Sequence, residues 1–300
     1  MEIIEYGGWK RNVRLSNKAL ELVATLEVGP RIIRLAAPGG RNVFKNYDDQ
    51  LGRAGEAEWQ IRGGHRLWFA PEDPVATYFP DNGPVEAREI DGGVRLTPPP
   101  ETPNGLQKEL DVILDPRRPR VRVVHRLTSI GAAARTLAPW ALSVMAPGGT
   151  AIVGLPKRGR HPRDLLPNQG LVLWPYTDLA DPRLKLGTRA ILLSQRKDRG
   201  PTKLGLLNVE GWAAYAVHGC LFVKRFACQP GATYPDMGVS TELFTNQEML
   251  EVESLGPLVS LAPGQAVEHV EEWHLFAGVP AVRSEADAEA HVRPRLAKTF

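Results

Sequence analysis

A chain of 300 residues that is 43% hydrophobic and 24% charged can bury a sizeable core, as one large all-β unit or two smaller ones. No stretch approaches the roughly eighteen apolar residues of a membrane span, and the opening "MEIIEYGGWKRNVRLSN", with acids at Glu2 and Glu5, lacks the apolar run of a secretory signal. The formal net charge of +3 is mild, and its surplus sits in 115–122 and 156–164 without interleaved aromatics, which argues against a nucleic-acid stripe and leaves solvated loops as the expectation, with a subset still able to attract an anionic sugar or phosphate.

Taken in chain order, short apolar or alternating runs dominate. Strands are expected over 19–28, 31–37, 93–99, 106–115 and 119–129, then over 136–145, 149–155, 190–195, 203–209, 213–227, 248–256 and 267–276. In 119–129, Val121, Val123, His125 and Leu127 share one face and Arg122, Val124 and Arg126 the other, so His125 points with the apolar set. With 26 prolines and 29 glycines between these runs, helix has little room before the end. There, Ser284 and Asp287 stand at capping-box spacing and open one short helix that Pro294 limits. No fixed-period repeat or low-complexity tract interrupts the chain. The fold class is therefore all-β: one domain over 1–300, a sandwich of large antiparallel sheets with a short C-terminal helix.

A large antiparallel sandwich offers a ligand the hollow face of a curved sheet, lined by residues in period-2 register. Glu251 and Glu253 are two apart in a strand and project to one side; such neighbours raise one another's pKa, which suits a general acid or base. The alternative is an acidic, solvent-facing strand edge. "IRGGHRLWFAPE" (61–72) is the second candidate. Gly63 and Gly64 permit close approach of a ligand or another backbone, Arg62 and His65 bracket them, and Trp68 is a flat plate on which a pyranose can stack. Its alternative is a tight loop with a core tryptophan.

Farther along, Tyr234, Asp236, Glu242 and Asn246 lie in 233–249, read as a long polar connection able to wall a cleft. His269 and His274, five apart, fall on opposite faces of a strand, which argues against a shared metal. Cys220 and Cys228 match no zinc spacing and read as buried free thiols. Neither a cofactor nor a metal is expected, nor a nucleic-acid or membrane partner, and the expected compartment is the cytoplasm.

The segment 61–72 resembles the "RGG-x-P-x-x-W-P" stretch of bacterial hexose-phosphate epimerases of the mutarotase-like group, and "EVESLGPLVSLAPGQAVEHVEEWHLF" resembles the late strand of aldose 1-epimerases. The opening "GGWKRNVRLSNKALELVATLEVGPRIIRLAAPGGRNVF" is similar to their start. A resemblance to the galactose mutarotase-like superfamily implies a β-supersandwich acting on a small carbohydrate, with Glu253 as catalytic base, Glu251 as an extra acid, and Arg62 holding substrate hydroxyls or phosphate. The family's middle-strand "N-H-x-Y" acid is missing: "LAPWALSVMAPGG" puts Trp140 there. His65 or His125 would then have to supply the acid. Three readings follow: an epimerase using Glu253 with His65 or His125, a glycoside hydrolase or lyase on the same fold, and a non-catalytic module gripping sugar through Trp68, Trp140 and Arg62. Glu251 and Glu242 complete the expected binding set.

Overall fold

Period-2 alternation decides which side chains meet. In the Arg120–Ser129 strand, Val121, Val123, His125 and Leu127 are fully buried while Arg122 is exposed, so one apolar side must be covered by another layer. The computed structural model, which describes residues 1–299, supplies that layer as a second sheet.

The first sheet has eleven strands. Its path runs Glu2–Tyr6, Trp9–Ser16, Glu21–Thr25, Arg31–Ala36, Gly64–Ala70, Arg135–Met145, Leu250–Leu255, Thr241–Thr245, Thr202–Leu206 and Leu171–Leu173; Val259–Leu261 also pairs with Arg135–Met145. The second has ten, in the order Leu184–Leu186, Ala190–Ser194, Thr150–Gly154, Trp212–Val217, Cys220–Phe226, Ala266–Ala277, Arg120–Ser129, Leu106–Leu114, Gly93–Thr97 and Glu86–Ile90. The pairings along both paths are antiparallel. Between the sheets lies one large core to which Leu67, Phe69, Met145, Leu250, Val252, Phe222 and Trp273 contribute. The molecule is an all-β supersandwich with a short C-terminal helical segment.

Several expectations need correction. The run 213–227 is a hairpin of two strands, turned at His218 and Gly219, both with positive φ, as a two-residue turn between right-twisted strands demands. The segment 61–72, outside every expected strand, and the segment 233–249, read as a long polar connection, contain the strands Gly64–Ala70 and Thr241–Thr245. Ser284 does cap, its hydroxyl accepting from the Asp287 amide at 3.1 Å. Pro294, however, does not stop the helix: a π turn over Ala288–Val292 places it at the start of a last α turn, Arg293–Leu296, where its missing N–H costs nothing. The two free thiols are partly exposed, not buried, because Cys220 begins a strand beside the hairpin turn and Cys228 lies in the connection beyond it. Among the described residues no helix is long and apolar enough to cross a membrane.

Candidate functional site

The central strands of the eleven-stranded sheet have two differently used faces. In Gly64–Ala70, His65, Leu67 and Phe69 turn toward the inter-sheet core, and Arg66, Trp68 and Ala70 turn outward. The register carries this pattern sideways: Arg66 pairs with Leu142, Leu142 with Glu253, and Glu253 with Glu242. In the neighbouring rows Trp68 pairs with Trp140, and Glu251 pairs with Phe244, itself paired with Lys203. Charged and aromatic side chains from five strands thus share the outer face, which the loop residues of 59–61, 72–78 and 174–176 wall in.

A pocket of about 300 Å³ opens there, at the small-molecule end of ligand sites. Trp59, Trp68, Tyr78 and Tyr176 form aromatic walls, and Arg66, Glu251, Lys203 and Glu72 supply charge. The Arg66 guanidinium lies 4.2 Å from the Trp68 ring centre and 5.4 Å from that of Trp59, with Nη1 2.9 Å from Glu251 Oε1. Lys203 Nζ lies 2.6 Å from Glu242 and 3.7 Å from Glu253, between the Trp140 and Trp174 rings at 4.9 and 4.6 Å. Trp140 Nε1 donates to Glu253 Oε2 at 2.8 Å. Glu253 and Glu242 are fully buried, one side-chain layer beneath a floor made by Trp140 and Lys203, whereas Glu251 reaches the pocket itself.

The charges in this layer are coupled. Burial pushes the Glu242 carboxyl well above its ordinary value, Lys203 pulls it back, and Glu253 pushes it up again. Burial likewise raises Glu251 against the opposing pull of Arg66. For Lys203, burial works against the ammonium, but Glu253 and Glu242 outweigh it and keep its pKa raised.

Glu251, Glu253, Glu242, Trp68 and Trp140 are therefore brought together on one face. His65, His125 and Arg62 are not, and the expectation that they share a hollow with Glu253 fails for a geometric reason. His65 is one residue from Arg66 and so lies on the opposite side of the strand, fully buried between the sheets. His65 Nε2 meets His125 Nε2 at 2.7 Å, His65 Nδ1 meets Ser143 Oγ at 2.9 Å, and His125 Nδ1 donates to the His269 carbonyl at 2.9 Å. That carbonyl fixes the tautomers: His125 carries its proton on Nδ1, so its Nε2 accepts from His65 Nε2–H, and Ser143 donates to His65 Nδ1. Ser254 donates to Glu271 and its oxygen accepts from His269 Nε2–H at 2.7 Å. Each bond is satisfied by a neutral imidazole. Burial accordingly depresses His65 well below its ordinary value, lowers His125, and takes His269 down to about 3.

His65, His125 and Glu271 offer ligand atoms within 4.8 Å of one another, close enough to suggest a metal site. Two observations fill that space otherwise. The two imidazole nitrogens stand at 2.7 Å, hydrogen-bonding distance from one another, and the Lys224 ammonium lies 2.9 Å from Glu271 Oε1 and donates to the Val252 carbonyl at 3.0 Å. The carboxylate also accepts from Trp273 Nε1 at 2.7 Å. The network ties the second sheet to the strand that carries Glu251 and Glu253.

Arg62 is a loop clamp. At a φ of 48° it buries its guanidinium against Glu56, Asn82 Oδ1 at 2.8 Å and the Arg53 carbonyl at 2.9 Å, away from the pocket. Gly63 and Gly64 serve backbone rather than ligand: a Cβ on Gly63 would sit 1.9 Å from the Lys45 carbonyl oxygen, and one on Gly64 2.4 Å from that of Ile32. The pocket arginine is Arg66, which its i, i+2 relation to Trp68 could have disclosed. Lys203 had a comparable signal, preceding the apolar Leu204 by one and alternating with it. Trp59, Tyr78 and Tyr176 arrive from loops, where no periodicity announces them. A larger depression of about 570 Å³, lined in part by Met1, Glu2, Arg14, Lys18 and Glu89, has no comparable aromatic wall.

No protein-family model and no curated protein matches the sequence. Solved structures do match the fold. The Slr1438 protein from Synechocystis sp. PCC 6803 is similar over 92% of this chain and 100% of its own, with a TM-score of 0.59 at 11% identity. A galactose mutarotase-like protein from Lactobacillus casei ATCC 334 is similar over 88% and 100%, with a TM-score of 0.58 at 14% identity. Another galactose mutarotase-like protein, from Clostridium acetobutylicum, is similar over 89% and 95%, with a TM-score of 0.52 at 9% identity. The chain has the fold of the galactose mutarotase-like proteins.

Proposed function

We propose that this protein binds a monosaccharide in the outer-face pocket and interconverts its anomers, with Glu253 as the base. The observation that carries this reading is the grouping of Glu251, Glu253 and Glu242 with Arg66 and Lys203 beneath an aromatic wall, on a sheet whose fold is that of mutarotase-like proteins. Aromatic faces stack on the apolar side of a pyranose, and carboxylates and cations take its hydroxyls. In the step itself, Glu253 removes the anomeric hydroxyl proton, the bond from C1 to the ring oxygen breaks, and the ring oxygen receives a proton; reclosure on the other side of C1 reverses each transfer. Glu242 is the acid that this chain offers. It neighbours Glu253 in the strand register, and burial raises its pKa, which favours the proton-carrying form of the carboxyl. Access requires the Lys203 ammonium to move off the floor, since Lys203 and Trp140 roof Glu253.

That roof also favours a second reading, sugar binding without turnover. Polarimetry on freshly dissolved α-D-galactose and α-D-glucose separates the two. Catalysis requires the decay of optical rotation to accelerate with protein and that acceleration to fall by about 100-fold or more in both Glu253→Gln and Glu242→Gln. Saturable binding with an unchanged decay leaves the binding reading alone standing. Release of reducing ends from an oligosaccharide would point to hydrolysis instead.

A further inference from the structure

We propose that the pocket selects an uncharged sugar over its phosphorylated or otherwise anionic counterparts, with Arg66 and Glu251 together reading two adjacent hydroxyls. The inference rests on the sugar-binding reading and narrows it to one substrate class.

Two cations line the pocket, and a carboxyl group stands against each. Arg66 is paired with Glu251 and held over Trp68 and Trp59. Lys203 is paired with Glu242, lies near Glu253, and is held between Trp140 and Trp174. Two further buried arginines are committed elsewhere: Arg31 to Asp81 and Arg62 to Glu56. Acids exceed cations around the cavity, with Glu72 and Glu251 on its wall and Glu242 and Glu253 below. A phosphate group entering here would lose its hydration against carboxylates, with no unpaired cation to replace the lost water.

The buried polar atoms point the same way. Arg66 Nε and Nη1 and Trp59 Nε1 are donors without a well-directed acceptor, while Glu251 Oε1 and Glu253 Oε1 are acceptors without a well-directed donor. The 2.9 Å approach of Arg66 to Glu251 is thus a charge contact whose angles leave both groups able to bond elsewhere. A hydroxyl is donor and acceptor at once, so adjacent hydroxyls can accept from Arg66 and donate to Glu251 in the same complex. A phosphate dianion offers acceptors alone and would leave the carboxylates unmatched.

The experiment is calorimetric titration of the full chain at two salt concentrations with D-galactose, D-glucose and their 6-phosphates. The neutral hexoses should bind with an affinity insensitive to salt, and the 6-phosphates at least tenfold more weakly. In Glu251→Gln the discrimination against the 6-phosphate should shrink several-fold, because a repelling charge is gone while the guanidinium remains. A 6-phosphate that binds as tightly as its hexose, or a discrimination unchanged in Glu251→Gln, overturns the inference and leaves the sugar-binding reading intact. Failure of both neutral and phosphorylated hexoses to bind removes that reading and this one together.

Discussion

Acidification through the range in which free histidine protonates should weaken this fold while leaving the native ring of His269 neutral. His269 is the case with a magnitude. Its pKa is held down to about 3 against an ordinary 6.5, chiefly by burial, with Glu271 opposing. For a depressed basic group, the stabilising contribution is present above the unfolded value and is lost as pH falls from 6.5 toward about 3. The loss approaches about 1.4 kcal/mol per pH unit, and amounts to about 1 kcal/mol between pH 7 and 5.5 for this one ring. Glu242 and Glu251, whose pKa values are raised, shift stability in the opposite sense over part of this interval, so the comparison must be internal. His269→Gln keeps an amide donor for Ser254 and removes the titration. Urea melts at the two pH values should therefore show wild type losing about 1 kcal/mol more than the variant. Ring ¹⁵N shifts of the native protein should show His269 titrating at about 3, and His65 and His125 below the ordinary 6.5. A native midpoint near 6.5 for His65 or His125 would refute the tautomer scheme and return those rings to the list of possible proton donors.

Other perturbations test the assignment of the two faces. Glu242→Gln should gain stability relative to wild type as pH rises from 5 to 8, because a raised carboxyl stabilises the fold below its unfolded value of 4.5 and loses that contribution as pH climbs through the native one; a variant that fails to gain on wild type over that range in thermal melts contradicts the raised value. Arg62→Ala should cost about 3 kcal/mol in urea melts by stranding its buried partners, while the folded protein still binds hexose within a few-fold; lost binding at unchanged stability would make Arg62 a ligand residue. Gly64→Ala should cost roughly 2 kcal/mol or more, since φ is 71° and the new Cβ would collide with the Ile32 carbonyl; a variant melting like wild type argues against that close approach.

Much of the fold was legible because a sandwich buries one side of each strand. The alternation in 119–129 places His125 inward as the structure does, and the two-residue spacing of Glu251 and Glu253 puts both on one outer face. The site was legible only in part, since proximity in sequence was allowed to stand for proximity in space. Arg62, His65 and Trp68 share one short segment, yet Arg62 precedes the strand and His65 has the opposite parity to Trp68. The strand holding Glu242 escaped because the polar residues of 233–240 and 246–248 flank only five strand residues. Pairing partners such as Lys203 and Trp140 come from strands far apart in the chain, and register across a sheet leaves no local mark in one sequence.

The most direct measurement is a crystal structure of this protein soaked with D-galactose. Sugar density between Trp59, Trp68 and Tyr78, with hydroxyls within hydrogen-bond distance of Arg66 and Glu251 and the anomeric carbon over the Lys203–Trp140 floor that covers Glu253, is the expected result. Sugar seated elsewhere on the molecule, with the Arg66–Glu251 pair untouched at saturating concentration, would contradict the account.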